Sequence, residues 1–193
     1  MKRFQRAPEP ADFDEKCRQR GLAWLQSHPT SKQLRDFWSP FKTQLCDAFD
    51  QLCGYSCMFE PVGTVDHYLS CSVHRERAYE WSNFRFASQW INSSKQTADD
   101  DVLDPFEVED GWFEILLPSL QLVLTDRVPP ERRVRAEHTL LRLHLRDDVR
   151  VIRQRAEWYR MYEEGELSLE GLRKKAPLIA EAVERQRRIP ENR

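Results

Sequence analysis

The chain has 193 residues, 40% of them hydrophobic and 32% charged, and a net charge of −2. That suffices for one compact domain with a real core under a heavily charged surface. It contains no apolar run long enough to span a membrane, and the basic start Met1-Lys2-Arg3 has no apolar stretch behind it, so neither a membrane protein nor a signal peptide is expected.

In chain order, residues 1–10 are expected as a disordered arm, 11–186 as a single domain and 187–193 as a tail. Asp12 to Gln26 reads as a helix with Asp12 as N-cap, broken at His28-Pro29-Thr30. A second helical pattern begins near Lys32 or Pro40 and runs to Leu52, with Phe41, Leu45, Ala48, Phe49 and Leu52 on one face. Gly54 is its expected C-cap. Pro61 and Gly63 between Met58-Phe59 and Val65 predict a tight hairpin. Phe84 to Trp90 shows no clear alternation, and Asn92 to Thr97 extends or ends a helix. Trp112 to Leu117 and Leu120 to Leu124 read as two strands of a hairpin or meander. The region 131–186 is helical. Glu131 to Leu145 carries Val134, His138, Leu141 and Leu145 on one face, Asp147 caps a helix running to about Glu164, and Ser168 caps a third. Pro177 interrupts that helix or starts a new turn.

Five cysteines, Cys17, Cys46, Cys53, Cys57 and Cys71, form an odd set without a secretion signal and are expected as reduced thiols in a cytoplasm. Charge is uneven along the chain. An acidic stretch, Asp99, Asp100, Asp101, Asp104, Glu107, Glu109 and Asp110, precedes an arginine-rich one from Arg127 to Arg160. The arginines read either as a DNA-facing surface or as solvated helix faces.

The chemistry-bearing stretch is Val65-Asp66-His67-Tyr68, followed by Tyr79-Glu80-Trp81-Ser82-Asn83-Phe84 and Asn92-Ser93-Ser94-Lys95. A carboxylate beside an imidazole can hold a divalent metal and a general base within one short turn. The order and spacing of an Asp-His pair, a first Asn, a second Asn and a Lys resemble the His-Asn-His (HNH) nuclease motif, with Asn in place of the last His. The resemblance implies an α+β fold, mostly helical overall, in which a ββα-metal core at about 53–97 is framed by N- and C-terminal helices. It implies metal-dependent hydrolysis of DNA phosphodiester bonds, with Mg2+ as the cofactor and Mn2+ as its substitute.

Phosphodiester hydrolysis needs a water made nucleophilic and compensation of the charge that develops on phosphorus oxygens. An imidazole suits the first task, which falls to His67. The resemblance assigns Asp66 and Asn92 as metal ligands, Asn83 as the residue that fixes the hairpin loop and aims His67, and Lys95 and Arg85 as substrate contacts. Each also has a plain structural reading, as a turn residue, a surface His or an N-cap.

Many HNH relatives carry two Cys-x-x-Cys knuckles that bind zinc. Here those positions are Cys53, Ser56, Ser88 and Ile91, and one thiol cannot make a four-ligand site. Structural zinc is therefore not expected, and packing by Tyr55, Phe86, Trp90 and Ile91 takes its place. An irregular alternative zinc set is Cys53, Cys57, Cys71 and His74. Leu69-Ser70 stand where relatives tend to have Pro and Lys.

A wider likeness runs from Phe37 to Gln186, through Ala78 to Arg85, Val102 to Glu107, Asp110 to Phe113 and Ala176-Pro177, to small bacterial HNH proteins, some of which belong to anti-phage defence systems. It implies DNA as one partner and an ATPase or other defence component as another, with a homodimer where both strands are cut. The rival expectations are a catalytically degenerate interaction module and an RNA-cleaving enzyme of the same motif. The buried-aromatic reading of Asp104-Pro105-Phe106 and Trp112-Phe113 is packing rather than base stacking.

Overall fold

A computed structural model describes residues 1–188. The chain is α+β, with seven α-helices and two small antiparallel sheets among the described residues. One π-helical turn at Asp14–Gln19 leads into α1, Arg20–Ser27. Gly21 is needed there because a Cβ would lie 2.1 Å from the Tyr79 ring, which packs directly on the helix backbone. A short 3-10 turn, Ser39–Phe41, opens α2, Lys42–Ala48. This helix stops earlier than its apolar face predicts, because Asp50 and Gln51 adopt φ of 54° and 58°. Gly54 is therefore not its C-cap. Instead its N–H donates to Phe86 O at 2.8 Å.

Strand β1 is Thr64–His67, and its partner is β2, Phe84–Ala87, with Asp66 opposite Arg85 and His67 opposite Phe84. The tight hairpin expected at Pro61-Gly63 does not form. Leu52 and Phe59 make an isolated bridge instead, and β1 pairs across a long connection. Helix α3, Gln89–Lys95, follows β2 at once and packs on β1.

Strands β3, Phe113–Leu116, and β4, Gln121–Leu124, form the expected hairpin. Four helices follow: α4, Pro130–Arg142; α5, Val149–Glu163; α6, Leu169–Lys175; and α7, Pro177–Arg188. The side chain of Asp148, one residue after the expected cap, accepts the Arg150 N–H, and Ser168 caps α6 as expected. Pro177 starts α7 after Ala176 ends α6. Residues 187–188 continue α7, and the rest of the expected tail, 189–193, lies outside the described residues.

The core is contiguous and draws on both halves of the chain. Two residues of the expected disordered arm belong to it. Met1 and Phe4 are buried, the Phe4 ring lies 4.8 Å from Phe49, and Phe4 N–H donates to Pro105 O. Of the face expected for α4, Leu145, just beyond the helix, is buried, but the helix itself turns other residues inward. Ala136, Thr139, Leu140 and Leu143 are buried, whereas Val134 and Leu141 are exposed. No helix among the described residues is long and apolar enough to cross a membrane.

Candidate functional site

Asp66 and His67 sit on strand β1 rather than in a turn, so their side chains leave on opposite faces. On one side the Asp66 carboxylate is buried. Tyr55 OH donates to its Oδ2 at 2.6 Å, and Lys95 Nζ lies 3.2 Å from its Oδ1. Burial and the adjacent carboxylate hold the Tyr55 phenol well above its usual range, so it stays a donor. The same two causes push the half-buried Cys71 thiol up to about 12.

On the other side the His67 ring stands edge-to-face against Trp38 at 4.7 Å and Phe84 at 5.0 Å. Its Nε2 pairs with Ala78 O at 2.8 Å. A carbonyl only accepts, so Nε2 carries the proton and Nδ1 is the acceptor of the neutral ring. Nδ1 has no hydrogen-bond partner among the described residues. Burial pushes the His67 pKa down, which keeps the imidazole neutral.

Asn83 ties the chain beyond β1 to the turn before β2. Leu69 N–H donates to its Oδ1 at 2.8 Å, and its Nδ2 donates to Leu69 O at 3.0 Å and Arg77 O at 3.1 Å. Its backbone carbonyl accepts from Tyr68 N–H at 2.8 Å. The segment carrying Ala78, which orients His67, is thereby fixed relative to the strand end.

Helix α3 presents Asn92 and Lys95, one turn apart, to β1. Asn92 Nδ2 donates to Val65 O at 3.3 Å. Lys95 donates to the carbonyls of His67 and Tyr68 and is fully buried. The structure thus places Lys95, the expected phosphate contact, out of solvent, with its ammonium on protein oxygens. Arg85, the other expected substrate contact, is also enclosed. It is 2% exposed and grips Asp104 with two hydrogen bonds of 2.7 and 2.6 Å, beneath the Phe106 ring.

The expected metal ligands meet the same strand–helix crevice, and their oxygens are hard donors of the kind magnesium takes. As arranged they do not fit a divalent ion. The Asp66 charge is already balanced by an ammonium, its second oxygen is held by Tyr55, and Asn92 turns its nitrogen to the strand. Among the described residues, no three or more of His, Cys, Asp and Glu come together as a metal-holding group.

Two of the four knuckle positions meet. Ser88 N–H lies 3.4 Å from Cys53 Sγ, whose thiol in turn lies 4.0 Å from Ser88 Oγ. Ser56 and Ile91 are buried beside them in sequence, and Tyr55, Phe86 and Ile91 are core residues. The alternative set disperses: Cys57 Sγ accepts from Lys2 N–H, whereas His74 faces Glu76 and Asp99.

Comparison of the chain with family models and with curated proteins returns no match. Two contributors to the site were missed in sequence. Tyr55 was read as packing only, although its hydroxyl lies in the knuckle segment that borders Asp66. Trp38 carries no local signal, because its contact with His67 exists only through tertiary packing.

Several arginines of the run are engaged within the protein. Arg135 bonds Val102 O, Arg142 bonds Lys95 O, Arg155 bonds buried carbonyls, and Arg146, Arg150 and Arg160 pair with carboxylates.

Proposed function

We propose that the chain is an HNH-type endonuclease that hydrolyses nucleic-acid phosphodiester bonds with His67 as general base. The observation that carries this reading is the state of His67. A neutral imidazole, proton fixed on Nε2 by Ala78, presents an unpartnered Nδ1 lone pair. That is the arrangement needed to take a proton from a water attacking phosphorus. Support comes from the frame: an antiparallel strand pair, the turn before its second strand and the following helix carry His67, Asn83 and Asn92, and Asn83 braces the loop as a positioning residue.

A second reading, an interaction module without hydrolysis, is favoured by the Lys95–Asp66 pair, which occupies the carboxylate that the resemblance gives to a metal. Nicking of supercoiled plasmid, with Mg2+ and with EDTA, separates the two. The nuclease reading expects nicking by wild type and none by His67→Ala. Excess RNA in the same assay shows whether RNA competes with DNA.

A further inference from the structure

The Lys95 ammonium lies 3.0 Å from His67 O, 2.8 Å from Tyr68 O and 3.2 Å from Asp66 Oδ1. The Tyr68 ring closes the cage, 5.6 Å from Nζ, and the lysine side chain is 0% exposed. An ammonium has three donors, and here they meet three oxygens. The same oxygens, a carboxylate and two carbonyls, are what a hard divalent cation would take. While the ammonium stays, a second cation at Asp66 meets a like charge at close range, away from the solvent and salt that would screen it.

We propose that Lys95 is an internal cation that holds the Asp66 cage closed to divalent metal ions, so that the cage binds a metal only when Lys95 withdraws. The end of α3 is built for such a withdrawal. Lys95 is the last residue of the helix, and Gln96 after it adopts φ 51° and ψ −119°. A residue with a side chain is strained there. Unwinding the last turn relieves that strain and draws Nζ out of the cage. Arg142 opposes the movement: its Nη2 donates to Lys95 O at 3.2 Å and to Gln96 Oε1 at 3.4 Å. The contact is thus an autoinhibitory latch, set by α3 and clamped from α4.

The proposal rests on reading Asp66 as the acidic residue of an HNH-type centre, but its test measures metal binding and not cleavage. An inactive chain can pass it and an active nuclease can fail it. Free Mn2+ is followed by electron paramagnetic resonance during titration of the full chain, as wild type, Lys95→Met, Lys95→Gln and the Lys95→Met/Asp66→Asn double variant. The single variants are expected to bind Mn2+ at least about tenfold more tightly than wild type, and the double variant to lose that gain. Equal binding by wild type and single variants overturns the latch, as does a gain that survives Asp66→Asn. Should neither single variant fold, the wild type decides. Broadening of the Asp66, His67 and Tyr68 amide signals by micromolar Mn2+ overturns the proposal, and unbroadened signals at those amides support it.

Discussion

Trp38 and Phe84 press their rings against His67, and this packing sets the proton affinity of the candidate base. Burial lowers its pKa from the ordinary 6.5. Between that value and the folded pKa, the unfolded chain binds a proton that the folded chain refuses. The stability linked to His67 is therefore fully present above the unfolded pKa and is lost as pH falls toward the folded one. Hydrolysis that depends on neutral His67 should persist below pH 6.5 for the same reason. Replacing Trp38 by Leu removes one wall and should raise the His67 pKa toward 6.5, as followed by NMR titration of the imidazole. An unchanged pKa would contradict packing as the cause. At this scale the sequence exposed residue types but not their partners. Asn83 bonds the loop through both atoms of its amide. Lys95 and Arg85 read as cations for a substrate, yet each is enclosed by protein oxygens, because their acceptors, including Asp66 and Asp104, come from distant segments.

The elements around the site divide by how local their causes are. Helices with clear caps and breaks, such as α5, α6 and α7, were legible, and so was the β3–β4 hairpin with its adjacent strands. The β1–β2 pair was not. Each strand has only four residues, β1 contains Asp66 and His67, and β2 is buried throughout with Arg85 inside it, so neither alternates in the usual way. Helix α4 was misjudged because Ala136 and Thr139, small or polar, face the core while Val134 and Leu141 face out. The Cys53–Ser88 contact gives the frame its own test. Ser56→Cys, Ser88→Cys and Ile91→Cys together with native Cys53 place four thiols at the knuckle positions. The variant should bind one Co2+ with the strong visible absorption of tetrahedral thiolate coordination. A folded variant that shows no such bands would contradict the knuckle-like frame.

Across the molecule, the candidate site depends on segments far apart in sequence. Tyr55, Trp38, Asn83 and Lys95 all converge on β1, and the C-terminal helices are tied back to the same half of the chain. Phe59 N–H donates to Lys175 O, and Gln154 reaches Phe59 O. Arg155 joins the β3–β4 turn to the α4–α5 connection through Leu120 O at 2.9 Å, Arg146 O at 3.1 Å and Leu145 O at 2.6 Å. It is 1% exposed, and burial lowers its pKa to about 10. Arg155→Met leaves those carbonyls short of a donor but also removes a desolvated charge, so the net loss should be about 2–4 kcal/mol in urea unfolding. A loss below about 1 kcal/mol, the net worth of a single ordinary hydrogen bond, would contradict the stitching role. At this scale the first residues pack through Met1 and Phe4, and Arg135, Arg142 and Arg155 donate to backbone carbonyls, so both segments help to hold the fold together. Among the described residues His67 is the imidazole that is enclosed by aromatic rings and keeps an acceptor nitrogen that no protein group takes. Nicking of supercoiled DNA by wild type beside His67→Ala, both shown to be folded by circular dichroism, measures its role directly. The account predicts nicked product from wild type and none from the variant. Equal nicking by both proteins would contradict it.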